Sequence, residues 1–448
     1  MNKTIRLSCY VTTGMALALC AVLASMPLSA GQPSFRVVSY MKTFDAPGGM
    51  IEGSPGLYYS EAGSSTKAVL SITPQGSKTI LTTFPSGQNM LSLLVSGAND
   101  RFYSSVELHT NPPSVFSVNA APGSAKLYSP QSLAPILTQN LPNGTLLGVA
   151  LSLSSNLWNL VTVDLTGSVT AIYQFSVIGE LAVTAIYASD GNYYGFVQGT
   201  GGATSYVYRV TPSGSFTKLY TFPNSAFMQF NSVPLLQGSD GNLYGTTPTG
   251  GANGTGTIYR LTLTGQYTLL YTFPKDNYSY PAALIEASDG NLYGGTLGNL
   301  FAGGYSQLFR ITKSGQYTVV YAMKNLTADG ACQCSLVQGS DGTIYGTAPY
   351  GGLTGAGLYF ALDAGLPKPS PTAQHFHPQS GAAGTQVLIW GYNLLSASVQ
   401  FNEVPATAVS NSGSNYVLAT VPAGATTGPI TVTTPGGTFT TKTSFTVQ

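Results

Sequence analysis

The chain has 448 residues, of which 7% are charged, and its formal net charge is +1. An ordinary soluble domain carries about 25% charge, yet 43% apolar and 11% aromatic residues leave too many rings for intrinsic disorder. Scarce Glu, Lys and Arg beside abundant Gly, Thr, Ser and Tyr exclude a helix-rich protein. The lack of a basic cluster excludes electrostatic binding to nucleic acid.

Residues 1–30 read as a secretory signal peptide. Lys3 and Arg6 give a basic start, Met15 to Leu23 an apolar run, and Leu28-Ser29-Ala30 a small-residue cleavage site ending at Ala30. The run is too short for a membrane span, and no later segment is apolar enough for one. Leu19 is too large for the lipoprotein box that Cys20 suggests. The mature chain is therefore expected in the periplasm, at the cell surface or outside the cell. Loss of Lys3 and Arg6 turns its charge slightly negative, and Cys332 and Cys334 become its cysteines. One Cys-x-Cys pair is no disulfide framework and has too few ligands for zinc; it closes a small ring or stays as two buried thiols.

From residue 31 the chain repeats. Ser189-Asp190-Gly191-Asn192-Tyr193-Tyr194-Gly195 returns at Ser239 to Gly245, Ser288 to Gly294 and Ser340 to Gly346, about fifty residues apart. Degenerate copies stand at Pro55, Asn99 and Asn143, which makes seven repeats. One repeat reads as four strands. Val233 to Gly238 leads into the tight Asp240-Gly241 turn, Leu243 to Thr247 returns, Thr257 to Thr262 follows a Gly-rich loop, and Tyr267 to Phe273 follows Thr264-Gly265. The seventh repeat lacks its fourth strand, while Phe35 to Phe44 has that strand's character. The fold expected is all-β: a seven-bladed β-propeller over 31–366, closed by the N-terminal strand, with no exposed edge.

The run Asp-Gly-Asn-Leu-Tyr-Gly-Thr-Thr, then Gly-Thr-Ile-Tyr-Arg-Leu and Gly-x-Tyr-Thr-x-Leu-Tyr-x-Phe, resembles the choice-of-anchor GloVer tandem repeat of exported bacterial proteins. The match is strong from 180 to 360 and degenerate before. The resemblance implies export and, in many members, a C-terminal anchoring device; it implies no reaction. After a stiff linker, Pro367 to Pro371, the period vanishes. Gly384-Thr385-Gln386-Val387-Leu388-Ile389-Trp390-Gly391, Val399 to Ala406 and Gly428 to Gly437 resemble an IPT/TIG domain over 372–448. That implies an immunoglobulin-like β-sandwich, a module that spaces, packs or binds. No sorting tail is expected after Gln448.

The chemistry available is sparse. His109, His375 and His377 are too few for a triad or a multi-histidine metal site, and the His375/His377 pair is expected on an exposed strand face. Each Asp-Gly turn offers one carboxylate, so turn geometry rather than calcium explains it, and no metal or cofactor is expected. Arg209, Arg260 and Arg310 recur at one offset, with Phe360 there in the seventh repeat, and read as structural ion-pair partners of the repeated aspartates. Tyr194, Tyr244, Tyr293 and Tyr345 read as core. Asp45, Glu52, Glu61, Asp100, Glu107, Asp276 and Glu286 are the unrepeated acids with most functional freedom.

Loop length points to a face. The first-to-second and third-to-fourth turns are tight, whereas the second-to-third loops and the connections between repeats are long. Both long sets emerge on one side, where loops on a rigid scaffold carry binding residues. The candidates are Lys275, Asp276, Asn277, Tyr278, Tyr280 and Tyr350, whose aromatic, amide and hydroxyl groups suit a neutral glycan. Two readings follow: an exported, non-enzymatic binding or surface-assembly protein, with a neutral glycan or surface protein as partner, or an extracellular polysaccharide-active hydrolase or lyase using two acids at the channel mouth.

Overall fold

The computed structural model describes residues 33–448 apart from 42–46, 64–66, 85–87, 91, 98–100, 109–110, 124, 128–132, 153, 177–179, 200–203, 224–234, 276–279, 299–305, 324, 333–334 and 411–414. The leader with Ala30, Asp45, Asp100, His109 and Cys334 thus lie outside the described residues. The described chain is β throughout except for a four-residue helix, Leu326–Asp329.

Consecutive antiparallel sheets span 47–84, 88–127, 133–174, 180–221, 236–272 and 281–323. All have four strands in chain order except the second, which has five. A further sheet joins Leu336–Gln338, Ile344–Ala348 and Leu358–Asp363 to Ser34–Tyr40 from the start of the chain. This N-terminal strand runs antiparallel from Ser34 opposite Asp363 to Tyr40 opposite Leu358. It supplies the expected missing strand over Ser34–Tyr40, and residues 42–44 of the expected run lie outside the described residues.

The fifth sheet shows why the repeated motif folds as it does. After Leu236–Gln237, the Gly241 N–H closes the turn on the Gly238 carbonyl at 2.9 Å, with Gly241 at φ +81°. Asp240 then accepts from the Asn242 N–H (3.2 Å) and side chain (2.8 Å) and from the Tyr244 hydroxyl (2.8 Å). Tyr244 is fully buried. Gly245 follows because Tyr259 of the next strand lies over it: a Cβ there would stand 2.4 Å from that hydroxyl. The tyrosine-to-aspartate bond recurs at Tyr194, Tyr293 and Tyr345. Burial opposes ionisation of Asp190 and Asp240, but hydrogen bonds from their asparagine and tyrosine neighbours outweigh it and hold both below the ordinary carboxylate range.

Three devices join neighbouring sheets. Side chains ending the first strands accept from the serine N–H of the preceding turn: Gln237 from Ser189 (2.9 Å), Glu286 from Ser239 (2.7 Å), Gln338 from Ser288 (2.8 Å) and Glu52 from Ser340 (2.8 Å). The last bond ties the seventh sheet to the first. Outer strands stack rings, Tyr173 on Phe216, Tyr220 on Tyr267, Tyr271 on Tyr317 and Tyr321 on Phe35, all within 8° of parallel. Third-to-fourth turn glycines sit against carbonyls of the preceding outer strand: Gly214 on Ile172, Gly265 on Leu219, Gly315 on Leu270 and Gly76 on Val38. Phe35 and Val38 show the N-terminal strand acting as a fourth strand.

The arginines do not pair with the aspartates as the sequence suggests. Arg209, Arg260 and Arg310 stand directly across from Tyr194, Tyr244 and Tyr293. Among the described residues the ion pairs are Lys218–Glu180 and Lys313–Glu286. The reason is geometric: neutral donors of its own turn already fill each aspartate. In the seventh sheet the matching position is Ala361, opposite Tyr345, and not Phe360. Arg36 of the N-terminal strand pairs with Ala361 and sets its charge near Tyr345.

Beyond Asp363 the strands form a two-sheet sandwich. Thr372–His377, Gln386–Tyr392, Tyr416–Thr420 and Val409–Ser410 make one sheet, and a five-stranded sheet within 380–447 makes the other. Phe376, Val387, Ile389, Val417, Val432 and Phe445 lie in the core between them. Strand alternation puts Trp390 and Tyr416 on the outer face of the first sheet, yet both are 1% exposed. The repeat sheets cover them. Trp390 Nε1 donates to Asn140 Oδ1 at 3.3 Å, and the Tyr416 hydroxyl donates to the Gly97 carbonyl.

Candidate binding face

All first-to-second and third-to-fourth turns lie at one end of the sheets, because successive strands are antiparallel. The sandwich sits on that end. Gly97, Asn140 and Tyr187 belong to or adjoin first-to-second turns, and the Tyr187 ring lies 6.0 Å from His375 and 6.2 Å from Trp390. His375 is therefore half-buried, which corrects the exposed strand face expected for it; His377 is exposed. The linker rests there too, its Pro367 carbonyl accepting from the Ser288 hydroxyl at 2.6 Å and Gln338 Nε2 at 3.3 Å.

The opposite end carries the long loops and two of the anticipated rings. Tyr280 is 41% exposed and Tyr350 45% exposed, and Lys275 is exposed as well. Asp276, Asn277 and Tyr278 lie outside the described residues. Tyr280 holds φ at 65°, a region costly for a residue with a side chain, and its carbonyl accepts from the Leu297 N–H at 3.2 Å. Pro281 then packs against Gly256 of the neighbouring loop.

Tyr350 is fixed by the connection between the sixth and seventh sheets. Its carbonyl accepts from the Ala331 N–H at 2.8 Å. The short helix before it is capped by Asn325, whose side chain accepts from the N–H groups of Thr327 and Ala328. The Tyr40 hydroxyl holds the Ala328 carbonyl at 3.2 Å. Cys332 is fully buried and disulfide-bonded, so the thiol alternative does not apply to it. Leu326 and Leu353 are exposed near Tyr350, with Gly351 making room for the Leu326 side chain. Sequence reasoning missed both leucines. The signal available was the Asn325 cap and Gly330 stop around a short helix.

The acids with apparent freedom divide. Glu286 binds Lys313 at 2.7 Å and the Ser239 hydroxyl at 2.6 Å, and Glu52 binds the Ser340 N–H and hydroxyl, so both are joints between sheets. The side chain of Glu107 is outside the description. Glu61 differs. It is 6% exposed, one carboxyl oxygen has no partner, and its other neighbours include Gly48 on the first strand. Burial pushes its carboxyl up to about 8, against the Ser104 hydroxyl and the Lys67 charge. No described group of three or more His, Cys, Asp or Glu side chains is arranged to hold a metal ion. No described helix is long and apolar enough to cross a membrane.

The Gloeobacter/Verrucomicrobia repeat matches residues 179–404, and the IPT/TIG domain matches 371–447. No curated protein matches the chain. Among solved structures, an oligogalacturonate lyase from Vibrio parahaemolyticus is 11% identical, covers 74% of this chain and 97% of its own, and has a TM-score of 0.52. A manganese complex of an oligogalacturonate lyase is 14% identical over 75% of this chain and 98% of its own, with a TM-score of 0.50. Such likeness concerns the fold alone.

Proposed function

The chain belongs to the Gloeobacter/Verrucomicrobia repeat family and carries an IPT/TIG domain at its C-terminus; from that premise we propose an exported, non-enzymatic binding protein that takes a neutral glycan on its long-loop end. In this reading residues 1–30 are a cleaved leader, 31–366 a closed seven-bladed propeller, 367–371 a linker and 372–448 the immunoglobulin-like domain. The pairing of Ser34–Tyr40 with Leu358–Asp363 and the Glu52–Ser340 bond support closure. A ring leaves two ends for binding, and the sandwich sits on one.

One observation carries the binding reading: Tyr280 and Tyr350 stand exposed at the end opposite the sandwich, each with its own carbonyl held by a backbone N–H. Ordered rings lose little entropy on stacking against a sugar face. The test is a neutral-glycan array probed with the parent and the Tyr280→Ala/Tyr350→Ala double variant. Binding by the parent, weakened tenfold or more in the variant at unchanged melting temperature, supports the proposal. No binding by the parent, or equal binding by both, overturns it.

A second reading, a polysaccharide-active enzyme, is favoured by Glu61, since a buried carboxyl with a strongly raised pKa is a feature of acid–base sites. Release of reducing ends by the parent and its loss in Glu61→Gln would select that reading.

A further inference from the structure

We propose that the sandwich is held on the repeat sheets by a joint that acid opens, with His375 as its proton sensor. The joint is built, not incidental. Trp390, Tyr416 and His375 come from one sheet of the sandwich. Its core residues are the alternate ones: Phe376 beside His375, Ile389 beside Trp390 and Val417 beside Tyr416. Trp390 and Tyr416 are thus rings on the outside of a small domain, buried because the repeat sheets lie over them. The two polar tips find acceptors across the boundary, Asn140 for the indole and Gly97 for the phenol.

His375 sits inside this contact. Its ring lies 5.8 Å from Trp390 on its own sheet and 6.0 Å from Tyr187 on the repeat sheets. Its Nε2 is buried without a hydrogen-bond partner. A neutral imidazole accepts that position at modest cost, whereas an imidazolium would place a second N–H donor and a positive charge there. The titratable groups packed around it offer no compensation. Tyr187 is raised by burial and by Asp190, and Tyr392, 5.7 Å from Trp390, is pushed up to about 12 by burial, so both stay neutral in acid. Asp190 itself is committed to Asn192 and Tyr194 of its own turn.

Burial accordingly holds His375 below its ordinary range. The sign follows: a docked imidazole binds its proton less well than a released one, so docking is full above the ordinary pKa of about 6.5 and weakens as pH falls through the depressed value. The docked-to-open ratio falls by up to about tenfold per pH unit in that window. Opening would uncover Trp390, Tyr416 and the turns around Gly97, Asn140 and Tyr187 without breaking either core.

The test uses the full chain carrying Trp158→Phe, which leaves Trp390 as the sole indole. Indole emission and small-angle scattering are followed from about pH 7.5 to about pH 4.5, with far-ultraviolet circular dichroism recording whether both folds persist. The expected result is a reversible red shift and an increased radius in acid, absent in His375→Phe and retained in His377→Phe. Trp390 is already the reporter, so Asn140→Leu serves as the weakened-joint control and should open at higher pH. A flat parent, an unchanged transition in His375→Phe, or loss of the whole fold in the same step overturns the proposal.

Discussion

Buried against Gly48, the Glu61 carboxyl keeps its proton to about pH 8, whereas an unfolded chain releases it near the usual value of about 4.3. The folded state therefore binds the extra proton between those limits. Its contribution is full below about pH 4.3 and is lost progressively as pH rises from there to about 8, at up to about 1.4 kcal/mol per pH unit. Glu61→Gln should match the parent in unfolding free energy near pH 4 and exceed it by one to several kcal/mol, to order of magnitude, near pH 8, as read from denaturant titration. Equal midpoints at both pH values would show that the carboxyl is hydrated. Tyr244 gives a second prediction. Tyr244→Ala should cost about 3–5 kcal/mol as a buried ring, and Tyr244→Phe about 1–2 kcal/mol for the lost bond to Asp240, both read from urea unfolding. Tyr244 was legible as core because it recurs in register with Tyr194, Tyr293 and Tyr345. The depth of Glu61 was not, because Gly48 and Ser104, which enclose it, come from other strands and follow no repeat.

At the scale of the element, the N-terminal strand is the part whose role the sequence showed most clearly. Its aromatic and β-branched run matches the fourth strand of the other repeats, and Phe35 does stack on Tyr321 at 4.2 Å. What the pattern could not show is Arg36 standing in for the arginine that Ala361 replaces, since the two lie on paired strands far apart in sequence. Deleting Ser34–Tyr40 should leave Leu358–Asp363 with an open edge and cost cooperative stability. Urea titration and sedimentation check this: a truncated monomer with the parent midpoint would show that the strand is ornamental. The short helix Leu326–Asp329 escaped the reading because four residues present no period to detect.

For the molecule as a whole, the two modules and their order were readable from the vanishing period at Pro367, but their contact was not. Trp390 and Asn140 meet across 250 positions, and no local pattern announces such a pair. The proposed binding face follows from that contact, because the sandwich takes the tight-turn end. A chain ending at Leu366 should therefore keep any glycan affinity shown by the parent while its melting temperature falls, as Tyr187 and Asn140 lose their cover. Calorimetry with the glycan identified on the array checks both halves. Affinity lost with the sandwich would move the site to the joint.

The strand that completes the seventh sheet is also the first to be made. Ser34 must meet Asp363, more than three hundred residues later. At about 5–20 residues per second, synthesis separates the two by on the order of tens of seconds. During that interval an unpaired, ring-bearing segment is available to any other strand edge, including one from another nascent chain. The sheets between can settle in order as they emerge, each last-turn glycine finding the carbonyl laid down before it. The final sheet cannot. Completion of that one sheet therefore waits for the tail of the repeats, and a message truncated before Leu358 would yield a product without the strand that pairs with its own beginning.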